Sequence, residues 1–179
     1  MAEHALAELM IAADFAARAH RDHRRKGSRK APYINHLIDV CRLLSEVGGV
    51  SDVSILCAGM LHDVVEDTAV TADDVREAFG DVIADLVAEV TDDKSLPKAE
   101  RKQLQVEHAP ELSPGACLIK ICDKISNIRD FLIDPPPWDP ARTVGYIDWS
   151  IRVVSGLQHR NEALDLSLIH ISEPTRQIR

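Results

Sequence analysis

Apolar residues recur along the chain at intervals of three and four, the spacing that gathers them on one face of an α-helix. Leu6, Leu9, Met10, Ala13 and Ala17 mark a first helix over residues 5 to 20. A polar, strongly basic stretch, HRDHRRKGSRK, follows, with Gly27 and Ser28 as breakers and Pro32 restarting order. From Tyr33, the apolar positions 33, 37, 40, 41, 44 and 47 predict a second amphipathic helix, stopped by Gly48 and Gly49. The third helix, roughly 52 to 67, is apolar nearly all round through 55–61, the mark of a central buried helix. TADD (Thr71 to Asp74) reads as a capping box opening a short helix that ends at Gly80, and another helix runs to about Val90. TDDKSLP is a turn-rich break, and Pro97 suits the first turn of a basic helix, PKAERKQLQVEHA. Leu118, Ile121, Cys122, Ile125, Arg129 and Leu132 trace one face of the next helix. DPPPWDP is a stiff loop, and residues 141 to 165 predict a last helix carrying Val144, Trp149, Val153, Val154 and Leu157. No segment alternates as a strand does and none repeats, so the expectation is a compact all-α bundle.

Composition narrows the function more than the fold. A chain of 179 residues fits one domain. It is 45% hydrophobic but only 4% aromatic, so aliphatic side chains must fill the core. The formal charge of -8 argues against a nucleic-acid or membrane-surface binder, both of which need a basic field. A small anionic ligand stays open where basic residues cluster. No stretch approaches the ~20 apolar residues of a membrane span, and MAEHALAELM lacks the pattern of a signal peptide. Cys41, Cys57, Cys117 and Cys122 sit in apolar helical stretches with no C-x-x-C pair, which fits reduced buried thiols in the cytoplasm.

The chemistry is concentrated in LHDVVEDT, residues 61 to 68, where one His and three carboxylates follow the apolar run ILCAGM. Burying such charges is costly unless something compensates them. On a continuous helix His62 and Glu66 share a face, as do Asp63 and Asp67. His36, at the border of the second helix's stripe, and Asp123, one turn before Asn127, are further candidates. Two imidazoles and two carboxylates make a mixed nitrogen and oxygen shell, suited to a divalent ion such as Mn²⁺ or Fe²⁺ with open positions. A buried cation would neutralise carboxylates that could not otherwise share a dry space. Each residue has a plainer reading: His36 as a hydrogen-bonded core residue, Asp123 as a solvated helix face, and Asp73, Asp74, Asp92 and Asp93 as caps and turn residues.

HDVVED, with YINH upstream and CDKISNIRD downstream, resembles the HD-domain phosphohydrolases. Within them it is similar to the small alarmone hydrolases related to the hydrolase half of RelA/SpoT proteins, in their animal-type stand-alone form. AADFAARAH, APYINH, MLHDVVED, VTDDK, SPGA and GLQ carry the likeness across residues 8 to 160. It implies one Mn²⁺ held by His36, His62, Asp63 and Asp123, with Glu66 and Asp67 acting at the catalytic water. The implied reaction is hydrolysis of the 3′-pyrophosphate of guanosine tetra- or pentaphosphate to GDP or GTP and pyrophosphate. Removal of the 2′-phosphate of NADPH is an alternative the resemblance also implies. By the same resemblance Arg25, Lys26 and Lys98 meet the phosphates, and Asn127 and Tyr146, with Tyr33 less securely, line the nucleotide pocket. Tyr146 and Trp149 could equally be core residues. A non-catalytic alarmone-binding module is the rival of another class; the intact Glu66–Asp67 couple disfavours it.

Three positions depart from the family pattern. Ser126 stands where a larger side chain is common, so contact with the base or sugar should differ. Leu37 follows the second-helix His in place of a frequent Pro, and FLIDPPPW is unusually Pro-rich. The hydrolase domain is expected over residues 1–165. LSLIHISEPTR (Leu166 to Arg176) resembles a translated sequencing adapter, so residues 166–179 are expected to be a non-native or disordered tail.

Overall fold

The computed structural model describes the chain from residue 2 to 159 and from 161 to 176. Every regular element among the described residues is helical, as the patterning implies. Helix α1 (Ala2–Ala19) leads into the basic loop, which an isolated antiparallel bridge between Arg24 and Pro32 closes. Helix α2 (Ile34–Arg42) widens into a single π-type turn at 43–47 and stops at Gly48 and Gly49, the latter with φ of 65°. Asp52 accepts the Ser54 N–H at 2.9 Å and so caps α3 (Val53–Leu61). The predicted capping box is present at α5 (Ala72–Phe79), with Thr71 and Asp74 bonding each other's backbone. Helices α6 (Asp81–Val90) and α7 (Lys98–His108) follow, then the long α8 (Pro114–Ile133).

Helix α3 is the axis of the bundle, packed against α1, α2, α6 and α8. Its Cys57, Ala58 and Leu61 meet Leu37, Val40 and Leu44 from the second helix and Cys122, Ile125 and Ile128 from α8, all buried. Gly59 permits the closest approach: a Cβ there would lie 2.5 Å from Leu44 Cδ1. All four cysteines are free and buried, and burial lifts the Cys41 thiol to about 11 and that of Cys57 to about 12.

Two boundaries differ from the sequence expectation. The third helix is not continuous: α3 ends at Leu61, and a short α4 (Val64–Asp67) resumes after a turn at His62 and Asp63. Asp63 has φ of −102° and ψ of −3°, at the bridge edge of the helical region, so the ladder breaks where the two ionisable side chains must turn inward. The last helix is likewise two. Helix α9 (Pro140–Gly156) ends at Leu157, and α10 (Glu162–Arg176) starts where Asn161 accepts the Leu164 N–H at 3.2 Å. Of residues 166–179, expected to be a non-native or disordered tail, 166 to 176 continue α10 against α8, with Leu168 buried, and 177 to 179 lie outside the described residues. No helix among the described residues is long and apolar enough to cross a membrane.

Candidate active site

The break between α3 and α4 aims His62 and Asp63 at the same point. His62 Nδ1 lies 2.8 Å from the Gly59 carbonyl, which can only accept, so the proton sits on Nδ1 and Nε2 faces inward. His36 enters from α2, its Nδ1 3.0 Å from Ser126 Oγ. Both Nε2 atoms are buried without a hydrogen-bond partner. Asp63 Oδ2 is 3.1 Å from His62 Nε2 and 3.6 Å from His36 Nε2. From α8, Asp123 Oδ1 lies 3.3 Å from His36 Nε2 and 3.9 Å from His62 Nε2. Donor atoms of His36, His62 and Asp123 all fall within 4.8 Å of one another.

The buried acids and imidazoles at this point shift one another strongly. Burial alone would lift both carboxyls, but His62 and His36 hold Asp63 below the ordinary range, and Lys124 and the imidazoles hold Asp123 well below it. Burial depresses His36, whereas the neighbouring Asp63 and Asp123 outweigh burial at His62 and raise it to about 9. Two inward nitrogens, both orphaned, and two ionised oxygens fit a divalent ion of intermediate softness.

Around this point a cleft of about 700 Å³ opens to solvent, with Lys26, Lys98, Asn127 and Tyr146 among its walls. Glu66 and Asp67 stand on α4 at its edge. Burial first, and then Asp92 and Asp63, raise the Glu66 carboxyl. Of the cations beside this couple, Arg101 belongs to a basic patch legible in the sequence with Lys98 and Lys102, whereas Lys94 was not singled out. Lys94 Nζ is 2.5 Å from Asp67 Oδ1 and 3.6 Å from Glu66 Oε1, and Arg101 Nη1 is 3.6 Å from Glu66 Oε1. The TDDK string was legible, but its fold-back onto α4 spans 27 positions and leaves no local trace.

Several expected nucleotide contacts prove to be partly committed within the protein. Arg25 donates to Asp130 at 2.6 Å and to Asn127 Oδ1 at 2.7 Å, and its guanidinium lies 5.4 Å from the Tyr33 ring centre. Asn127 in turn donates to Asp123 Oδ1. Tyr33 donates to Asp63 Oδ2 at 2.7 Å and approaches Asp67 at 3.3 Å, so it braces the acidic groups. Ser126 is buried, with its Oγ 3.0 Å from His36 Nδ1. Lys26 and Lys102 keep their charge toward the cleft, beside a cluster of Phe131, Trp138, Tyr146 and Trp149. Lys102 Nζ lies 4.2 Å from the Trp149 ring and 5.1 Å from that of Tyr146. Tyr146 and Trp149 both line the cleft, and Trp149 donates from Nε1 to the Lys102 carbonyl at 2.8 Å. Asp93 is the turn residue it was expected to be, accepting from Ser95 N–H, whereas Asp92 lines the cleft.

The basic loop is held open by α8. Asp134 accepts the Ser28 N–H at 3.0 Å, the Ser28 hydroxyl at 2.6 Å and the Arg29 N–H at 3.0 Å. That clasp, with the Arg25–Asp130 pair, sets Lys26 over the cleft.

Comparison with known proteins agrees with this geometry. The HD domain family model matches residues 12–143. The human guanosine-3′,5′-bis(diphosphate) 3′-pyrophosphohydrolase MESH1 is 51% identical over 166 residues, covering 92% of this chain and 93% of that protein. The Drosophila melanogaster protein of the same name is 44% identical over 172 residues, covering 96% of both. The solved structure of a metazoan SpoT ortholog, described as hydrolysing ppGpp, superposes with a TM-score of 0.91 at 43% identity, over 94% of this chain and 95% of that one.

Proposed function

The chain belongs to the HD-domain family of metal-dependent phosphohydrolases, and from that premise we propose that it removes the 3′-pyrophosphate of guanosine tetra- or pentaphosphate with the help of one Mn²⁺. The observation that carries the proposal is the convergence of two unpartnered buried imidazole nitrogens with Asp63 and Asp123 at the floor of a cation-lined cleft. His36, His62, Asp63 and Asp123 would hold the ion. It supplies Lewis-acid polarisation of a phosphoryl oxygen and lowers the pKa of water at that site.

The protein's own groups do the rest. Glu66, its carboxyl raised by burial and by Asp92, takes the proton of the attacking water on a carboxylate oxygen. A new P–O bond forms to that water while the bond from phosphorus to the ribose 3′ oxygen breaks. The proton held by Glu66 can then return to the 3′ oxygen, leaving the nucleoside 5′-diphosphate or 5′-triphosphate and pyrophosphate. Asp67, paired with Lys94, orients the water from the other side. Lys26 and Lys98 neutralise the phosphates, with Arg25 contributing what its bonds to Asp130 and Asn127 leave free. Asn127 and Tyr146 line the nucleoside side of the cleft. Buried thiols and the relatives' stand-alone form support a cytoplasmic setting.

Side-by-side kinetics on guanosine tetraphosphate and NADPH, with Mn²⁺, test the substrate. Release of pyrophosphate from the first at the higher kcat/KM is expected; preferential release of phosphate from NADPH replaces the proposal. Tight binding of guanosine tetraphosphate without turnover in metal-replete protein would make the chain an alarmone-binding module. Glu66→Gln should lower kcat by about 10²-fold or more with bound metal retained. Loss of metal in that variant contradicts the division of roles.

A further inference from the structure

Two features of the cleft wall are not used by this mechanism: a buried lysine on α8, Lys124, and a glutamine on α7, Gln105. Lys124 Nζ donates to Asp123 Oδ2 at 3.0 Å and to Gln105 Oε1 at 3.1 Å, with the Trp149 ring 4.4 Å away. The Gln105 amide points its other end at Asp92, donating from Nε2 to Oδ1 at 2.8 Å and to Oδ2 at 2.7 Å. The Asp92 backbone N–H then donates to Glu66 Oε2 at 3.2 Å. One amide thus joins the carboxylate proposed as a metal ligand to the carboxylate proposed as a base.

We propose that Gln105 is a positioning residue for both halves of the site, holding Asp123 through Lys124 and Glu66 through Asp92. The proposal rests on the functional reading above. Its physical basis is that a side-chain amide offers an acceptor oxygen and a two-proton donor nitrogen on opposite arms of one planar group. The acceptor end takes the ammonium of Lys124, which leaves Asp123 Oδ1 turned toward His36. The donor end grips both oxygens of Asp92 and fixes the turn whose N–H faces Glu66. Such supporting hydrogen bonds set the orientation of ligating and catalytic carboxylates. A glutamate at 105 would keep the acceptor for Lys124 but set an anion against Asp92; a leucine would lose both ends.

The test compares Gln105→Leu, Gln105→Glu and the double variant Asp92→Asn/Gln105→Glu, with Gln103→Leu on the exposed side of α7 as control. Affinity for Mn²⁺ alone is titrated by electron paramagnetic resonance of the free ion, and kcat and KM are measured on guanosine tetraphosphate. Gln105→Leu should weaken Mn²⁺ binding about 10- to 100-fold. Gln105→Glu should hold Mn²⁺ as the parent does while losing kcat by about tenfold or more at little changed KM. The double variant exchanges the two ends of the pair, so that an amide at position 92 can donate to a carboxylate at position 105. It should regain most of that kcat. Native near-ultraviolet dichroism checks folding; if Gln105→Leu does not fold, the single glutamate variant and its rescue decide. Mn²⁺ affinity and kcat unmoved in Gln105→Leu overturn the proposal, as does a double variant no better than Gln105→Glu. A parent protein that binds Mn²⁺ but leaves guanosine tetraphosphate intact overturns the functional reading instead, and the metal titrations still judge Gln105.

Discussion

Lys102 illustrates how a single side chain acquires a property from its surroundings. Burial, and then the charges of Lys98, Lys124, Arg152 and Arg142, lower its pKa to about 8. Below that value it is cationic, and above it neutral, so its attraction for a phosphate fades as pH rises. A bound phosphate favours the charged form, so binding near pH 8 should take up a proton. Calorimetry of a non-hydrolysed nucleotide in two buffers of different ionisation enthalpy measures that uptake. KM should rise roughly tenfold from about pH 7 to about pH 9.5, the value of one charge-assisted contact. A flat KM across that range would show that Lys102, although it lines the cleft, does not meet a phosphate. The same scale explains what sequence reading could and could not assign. His36, His62, Asp63 and Asp123 stood out by residue type and by their strings. Lys94, Lys124 and Gln105 are ordinary helix or loop residues until their partners, distant in sequence, are known, and Tyr33, named as a pocket residue, has its bond to Asp63 only in the folded chain.

Among the elements, the interruption between α3 and α4 matters most. A continuous helix would turn His62 and Asp63 about 100° apart; the turn at 62–63 brings His62 Nε2 and Asp63 Oδ2 to 3.1 Å. The periodicity could not show this break, because the apolar run carries on through Val64 and Val65. Helix α10 raises a different question, since its later turns coincide with the segment read as foreign. It packs on α8, none of its residues is among those lining the cleft, and Leu168 and Ser172 are buried beyond 166 among the described side chains. Deleting residues 166 to 179 should therefore cost about 2 kcal/mol through lost burial and lower Tm by roughly 4–8 °C, with kcat unchanged. Scanning calorimetry and steady-state kinetics on the truncated chain check both halves. A collapse of turnover at intact fold would tie α10 to the site.

For the molecule as a whole, the site sits where three helices that form the core also meet. The same contacts that bury Leu37, Leu61 and Ile125 bring His36, His62 and Asp123 together. An ion held by the proposed ligand set would therefore be coupled to folding, because the unfolded chain has no such preformed set. Saturating Mn²⁺ at about 100 times its Kd should stabilise the fold by about 2.7 kcal/mol and raise Tm by roughly 5–10 °C. Chelation should remove that increment together with turnover, and readdition should restore both. A Tm indifferent to Mn²⁺ would show that the ion does not bind the folded site.

The chain's own order of residues determined an all-α bundle, a buried third helix and the ionisable strings that furnish the site, because helical periodicity and local capping are short-range properties. Tertiary structure alone decided where the central helix breaks, that Ser126 supports His36, that Arg25 is tied to Asp130 and Asn127, and that Gln105 joins two carboxylates. Those outcomes depend on side chains separated by tens of residues, whose meeting is settled by packing and by the cost of burying unpaired charge.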